Sequence, residues 1–194
     1  KRSRYAGRPG WIIQQIVKLS VPEIFGDEHA VIVDSDLIFI RPFGKLDFFP
    51  EGTSRMLLRV EPEAESAKHK QHMRTARDLL GLPPASEEHH YMAWPAIWHG
   101  DWVRALRNAI EDASGKPWQT ALFDTPIFSE YQLYGVFVEE AMEPTELQVR
   151  RTPLHAGLWQ RSDVAAFLRQ PVAYVDSLAG KPLTLVVQSN LNIP

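Results

Sequence analysis

Two aspartates, Asp34 and Asp36, interrupt the most strand-like segment of the chain, VIVDSDLIFIRPF (31–43). If the strand period runs through them, residues i and i+2 face the same side and the two carboxylates lie together. Two carboxylates at such a short distance repel each other. A hard divalent cation such as Mg²⁺ or Mn²⁺ offsets this repulsion, and it needs only one or two protein carboxylates as ligands. The pattern therefore predicts a metal site. The alternative is a turn in which each aspartate bonds nearby backbone amides.

The residues after the aspartates separate two classes of enzyme. A dehalogenase-type phosphatase would use Asp34 as its nucleophile, enter a loop after the second aspartate, and carry paired acids at the end of a later strand. Here the apolar run 37–40 continues as a strand into Arg41 and Pro42, and no later strand ends in paired acids. This order favours a sugar transferase of the GT-A type. The phosphatase stays as the alternative, together with a non-catalytic remnant that binds a sugar or nucleotide.

The spacing of apolar residues predicts an alternation of helices and strands. Helical spacing covers 11–19, 64–80, 101–113, 128–141 and 162–169, and strand patterns cover 30–33, 37–40, 56–60 and 183–190. Asp101, Ser129 and Ser162 are the predicted N-caps. The alternation predicts a single α/β layered domain over residues 1–194.

Composition excludes several functional classes. The 194 residues are 44% hydrophobic and 23% charged, with a net charge of −3 and no cysteine. The lack of a long basic run argues against a nucleic-acid partner. No apolar stretch reaches the roughly 20 residues of a transmembrane helix. A chain without cysteine has no disulfide framework, which fits a reducing compartment, and we expect a cytoplasmic protein.

Four segments together resemble a known family. They are GWIIQQIVKL (10–19), VIVDSDLIFIRPF (31–43), FSEYQLYG (128–135) and VVQSN (186–190). The set is similar to the bacterial GT-A-like glycosyltransferases grouped as DUF6492. The resemblance implies a GT-A-like mixed sheet flanked by helices, a nucleotide-diphosphate sugar as donor, a saccharide acceptor, and Mn²⁺ or Mg²⁺ bridging the donor phosphates.

The resemblance also implies roles for particular residues. Asp34 and Asp36 would be the acidic metal ligands, with Asp36 the more direct. His155 in PLHAGLW (153–159) would add a third ligand, because Gly157 leaves room for a ligand to approach.

A transferase that inverts the sugar carbon needs a carboxylate to take the acceptor's proton. Glu130 is the first candidate, at the start of a predicted helix, and Asp124 is the second. Gln14, Gln15 and Lys18 share one predicted helix face and could contact the donor phosphates or sugar hydroxyls.

Two further expectations concern the histidines and the start of the chain. His69 and His72 lie on a polar predicted helix, so we expect them to be solvated. GT-A folds place a base-binding strand several tens of residues before the aspartate motif, whereas only 33 residues precede Asp34 here. The sequence therefore predicts a GT-A-like domain without its N-terminal base-binding strands, as in an N-terminally truncated chain.

Overall fold

The computed structural model describes residues 9–26, 28–50, 55–60, 67–85, 89–145 and 147–187. The helices are α1 Pro9–Lys18, α2 Val21–Phe25, α3 Lys45–Phe48, α4 Ala67–Leu80, α5 Gly100–Ser114, α6 Trp118–Asp124, α7 Glu130–Val136, α8 Arg161–Arg169 and α9 Pro171–Ser177, and a π-helical turn, Phe137–Met142, extends α7. The strands are β1 His29–Ile32, β2 Leu37–Phe39, β3 Met56–Leu58, β4 Ala96–His99, β5 Gln148–Arg150, β6 His155–Leu158 and β7 Thr184–Val187.

The described strands pair in three small sheets. β1 is antiparallel to β4, with His29 opposite His99 and Ile32 opposite Ala96. β7 lies between β2, which is antiparallel to it, and β6, which is parallel to it. β3 and β5 form a parallel pair. The predicted mixed α/β class is confirmed, since helices surround sheets that contain both parallel and antiparallel pairs.

The core has two parts that meet at β3 and β4. The larger cluster is built mainly on the helices, and α5 contributes a fully buried stripe of Val103, Leu106 and Ile110 at helical spacing. The smaller cluster includes Leu154 and Leu183 from the sheet of β2, β7 and β6. In β4, Trp98 faces the larger cluster and Ile97 the smaller one. Because successive residues of a strand point to opposite faces, β4 is buried on both sides.

The predicted elements agree with the structure in type and differ at their ends. Ser129 caps α7 by accepting a hydrogen bond from the backbone N–H of Gln132, as predicted. The other two predicted caps are wrong, because α5 begins after His99 and α8 after Gln160, each in extended backbone. Residues 188–190 of the last predicted strand lie outside the described residues. No described helix is long and apolar enough to cross a bilayer.

Candidate functional site

The ammonium of Lys18, at the C-terminal end of α1, joins two predicted site carboxylates. Its Nζ donates to Oδ1 of Asp34 and, at 2.6 Å, to Oε1 of Glu130. It also lies 3.1 Å from the hydroxyl oxygen of Tyr131 and 4.5 Å from the centre of that ring. The Lys18 side chain is only 12% exposed and the Glu130 side chain 5%. Segments far apart in the chain therefore converge on one partly buried cation, which we call the Lys18 cluster: Lys18, Asp34, Trp94, Glu130 and Tyr131.

Both oxygens of the Asp34 carboxylate have donors. Lys18 bonds Oδ1, while Oδ2 accepts from the indole Nε1 of Trp94 at 2.9 Å and from the hydroxyl of Tyr131 at 3.2 Å. Three donors from three segments fix the direction of this carboxylate. These hydrogen bonds also offset the free-energy cost of removing water from the Asp34 carboxylate.

The two aspartates lie in a turn and not within a strand. The backbone N–H of Leu37 donates to the carbonyl of Asp34 at 3.2 Å, which closes a tight turn between β1 and β2. The predicted strand period through the aspartates is therefore wrong. Because β1 and β2 belong to different sheets, the turn carries both carboxylates across the junction between the sheets.

Glu130 lies in the first turn of α7, where the backbone N–H groups and the helix dipole favour an anion. Its own backbone N–H donates to Oε1 of Gln15 at 3.1 Å. The buried Gln15 thus joins α1 to the start of α7. The predicted contact between Gln15 and donor phosphate stays a prediction; it would use the Nε2 group, which lies 3.5 Å from the backbone carbonyl of Trp11.

Electrostatics divide the roles within the cluster. Burial raises the pKa of Glu130, and the neighbouring Lys18 opposes that rise. Burial alone would lower the pKa of Lys18, but Glu130 and Asp34 more than offset it, so the pKa lies above its usual value. Burial and then Asp34 raise the pKa of Tyr131, which stays a neutral donor. Lys18 is therefore charged at neutral pH, while the pKa of Glu130 lies above its usual value because burial outweighs the effect of Lys18.

Asp36 is the carboxylate at the edge of this arrangement. Burial raises its pKa and the charge of Asp34 adds to that rise, while a hydrogen bond from its own backbone N–H and then the charge of Lys18 oppose it. Asp36 shares the turn with Asp34, and the carboxylates that pair with Lys18 are those of Asp34 and Glu130. A positive ligand at Asp36 would lower the free energy of this negative site, as a divalent ion in the predicted position would.

His155 and Gly157 behave differently from the sequence-based expectation. The imidazole Nδ1 of His155 lies 3.3 Å from the backbone N and 3.1 Å from the backbone O of Trp94. A Cβ on Gly157 would meet the indole of Trp159 at 1.9 Å. The glycine therefore makes room for Trp159, and the expectation that it leaves space for a ligand is wrong.

The three predicted metal ligands are not preassembled. Across the described ranges, no group of three His, Asp or Glu side chains is placed to hold one ion. Asp34 and Asp36 still fit an ion of the Mg²⁺ class, because such ions keep several ligands from water or substrate phosphate. The ligand role of His155 stays a prediction.

Two other predicted residues lie outside the Lys18 cluster. Gln14 is exposed, so it does not share a face with the buried Gln15, contrary to the expectation for α1. Asp124 ends α6 and forms an exposed ion pair of 3.0 Å with Lys116. Neither residue contributes to the hydrogen bonds that hold Asp34 and Glu130.

Sequence reasoning missed Trp94 and Tyr131. Tyr131 directly follows Glu130 in a segment already singled out, so its position was a usable signal. Trp94 precedes Pro95 in an aromatic stretch that gives no sign of a bond to Asp34. The rings of Trp94, His155 and Trp159 also adjoin one another, with centroids 5.2 to 6.5 Å apart.

The fold and the site define a mixed α/β protein with a partly buried acidic site held around one lysine. The chain belongs to DUF6492, described as a family of unknown function, whose model matches residues 2–194. No curated protein sequence and no solved structure matches the chain.

Proposed function

We propose that the chain is a metal-dependent glycosyltransferase of the GT-A type, moving a sugar from a nucleotide-diphosphate donor to a saccharide acceptor. The observation that carries the proposal is the pairing of Asp34 and Glu130 with the ammonium of Lys18, with Asp36 in the same turn as Asp34. Such a site attracts a divalent cation, and the cation in turn attracts a diphosphate. The order of the segments resembling glycosyltransferases adds support.

Asp36 and Asp34 would hold the Mg²⁺ or Mn²⁺ ion, which when bound would stabilise the charge that develops on the leaving diphosphate. Lys18 keeps Asp34 in place and adds a fixed positive charge. Its third role is to lower the cost of ionising Glu130.

Glu130 is the proposed general base for the acceptor hydroxyl. A carboxyl whose pKa burial raises is better matched to proton transfer near neutral pH than an ordinary one. The half-buried rings of Trp94, His155 and Trp159 beside Asp34 offer apolar faces suited to a sugar.

Isothermal titration with UDP- and GDP-sugars, with and without Mn²⁺, tests the proposal. We expect binding that requires the metal and that Asp36→Asn abolishes, while Asp176→Asn, an exposed aspartate on α9, leaves it unchanged. Glu130→Gln should keep donor binding and lose sugar transfer, because it removes the base and not the metal ligands.

The outcomes separate the alternatives. Absence of metal-dependent binding of any nucleotide sugar, or the same affinity in Asp36→Asn, would refute the transferase. A phosphoryl group trapped on Asp34 would favour the dehalogenase-type phosphatase. Metal-dependent binding with no transfer to any acceptor would favour the non-catalytic remnant.

A further inference from the structure

An exposed apolar surface lies on the segment after the aspartate turn. In residues 39–46, between β2 and the first turn of α3, the exposed fractions are 36% for Phe39, 53% for Phe43 and 62% for Leu46. Single exposed apolar residues are ordinary, but three within eight residues, two of them aromatic, indicate an interaction surface. We call Phe39, Phe43 and Leu46 the apolar ridge.

Specific contacts hold the apolar ridge in shape. The rings of Phe39 and Phe43 stack with centroids 4.3 Å apart, and Phe43 meets the buried Phe48 edge-on at 5.9 Å. Asp47 accepts a hydrogen bond from the backbone N–H of Gly44 at 2.8 Å and forms an ion pair of 2.7 Å with Arg41. The segment therefore presents its apolar side chains from a braced turn.

Positive charge surrounds the apolar ridge. Arg41 and Lys45 are exposed within the same segment. Beneath it, Arg150 donates to the backbone carbonyl of Asp47 at 2.9 Å, and burial lowers the pKa of this arginine. A cavity of about 430 Å³ opens there, with Leu46, Met56 and Arg150 in its lining. Among the described residues of this face, three cations stand against one carboxylate, that of Asp47, so this part of the surface is basic although the whole chain is acidic.

We propose that this face binds the surface of an anionic phospholipid membrane. Aromatic and aliphatic side chains enter the boundary between headgroups and acyl chains, and cations beside them contact phosphate. The charge decides the partner, because a basic rim around an apolar ridge complements an anionic lipid surface. The inference does not rest on the proposed function, since none of these residues belongs to the Lys18 cluster.

Co-sedimentation of the purified chain with vesicles tests this inference. One set contains phosphatidylcholine alone and the other phosphatidylcholine mixed with phosphatidylglycerol. We expect binding to the mixed vesicles, weaker binding with added salt, and little binding to phosphatidylcholine alone. Phe43→Ser and Lys45→Glu should each lower the affinity about tenfold.

Matched variants elsewhere on the surface control for general effects. Phe123→Ser removes an exposed phenylalanine from α6, and Arg169→Glu reverses an exposed arginine at the end of α8. Both should bind mixed vesicles as the unaltered chain does, and urea unfolding of every variant confirms folding. Leu46→Ser replaces Phe43→Ser if that variant unfolds.

Two results would overturn the inference. The first is no binding to phosphatidylglycerol, or equal binding by the ridge variants and their controls. The second is self-association in analytical ultracentrifugation that Phe43→Ser abolishes, without vesicle binding, which would assign the ridge to a second copy of the chain. Titration with nucleotide sugars is unaffected by either result, so failure here leaves the glycosyltransferase proposal standing.

Discussion

Lys18 is the residue that makes the acidic site compatible with a folded chain. A buried charge is costly unless it is paired and hydrogen-bonded, and Lys18 pairs with two carboxylates at once. The aspartate motif predicted a cation between acids. In the structure, the cation that pairs with Asp34 and Glu130 is the side chain of Lys18. A metal would act at the outer edge, near Asp36.

Replacing Lys18 tests this reading at the level of one residue. Lys18→Met leaves Asp34 and Glu130 buried without their shared cation, and we expect the free energy of unfolding in urea to fall by about 3 kcal/mol. Adding Glu130→Gln should recover part of the loss, because one of the two uncompensated charges is gone.

The matched control for Lys18 is Lys116→Met. Lys116 pairs with Asp124 at the surface, where such pairs contribute less than about 1 kcal/mol. Equal unfolding midpoints for Lys18→Met and Lys116→Met would contradict a stabilising role for the Lys18 cluster.

At the scale of elements, α7 determines where Glu130 and Tyr131 lie. Residues 130–136 are buried on every side, so the helix can be displaced only at the expense of the core. Tyr91 packs against it and donates its hydroxyl hydrogen bond to Oε2 of Glu139 at 2.7 Å. Glu139 in turn pairs with Arg59. The candidate site therefore depends on α7, whose start is capped by Ser129 and whose C-terminal extension is bonded to Tyr91 and Arg59 through Glu139.

Gly135 is the contact through which α7 approaches Tyr91. A Cβ at this position would lie 2.0 Å from Cγ of the Tyr91 ring, and that ring is buried and anchored through its hydroxyl. We expect Gly135→Ala to lower the free energy of unfolding in urea by about 3 kcal/mol, because overpacking a fixed core moves the backbone.

Gly10→Ala is the control for this prediction. A Cβ on Gly10 in α1 meets nothing within 4 Å, so the higher helix propensity of alanine should leave stability unchanged or raise it by up to about 1 kcal/mol. Equal free energies of unfolding for Gly135→Ala and Gly10→Ala would contradict the close contact between α7 and the ring of Tyr91.

At the scale of the whole molecule, packing buries histidine side chains, including one that the sequence predicted to be solvated. His72 on α4 is buried, and within the described part of the chain neither of its ring nitrogens has a hydrogen-bond partner. The same holds for both ring nitrogens of His90 among the described residues, and its ring centre lies 4.5 Å from that of His69. The solvated state predicted for His72 is therefore wrong. Burial lowers the pKa of His72 and of His90 to about 4 in each case, with nearby positive groups adding to the effect.

These histidines predict a loss of stability in acid. Above about pH 6.5 they are neutral in both states. As pH falls from about 6.5 to 4, the unfolded chain takes up protons that the folded chain excludes, so stability falls by as much as about 3 kcal/mol for each histidine. Below about pH 4 both states are protonated and this contribution levels off.

Urea unfolding at pH 7 and pH 5 measures the effect. His72→Gln should shrink the difference between the two stabilities, because one proton-linked group is removed. Gln119→Ala, at an exposed residue of α6 without a titratable side chain, should leave the difference unchanged. An undiminished difference in His72→Gln would mean that His72 is not held neutral in the fold.

The sequence by itself determined the features that depend on local spacing. The buried stripe of α5 follows from apolar residues three and four apart, and the cap by Ser129 follows from a short hydroxyl side chain before a helix. The strands on either side of Asp34 and Asp36 were also predictable, because their β-branched and other apolar residues favour extended backbone.

Only the tertiary structure decided which side chains meet. Lys18 is 16 residues from Asp34 and 112 from Glu130, and nothing in local periodicity selects those partners. Likewise, Trp94 is 60 residues from Asp34, and nothing in its aromatic segment indicates a hydrogen bond to that carboxylate. The physical reason is that spacing along a chain encodes which face of an element is buried. What covers that face is fixed by the packing of all the elements together.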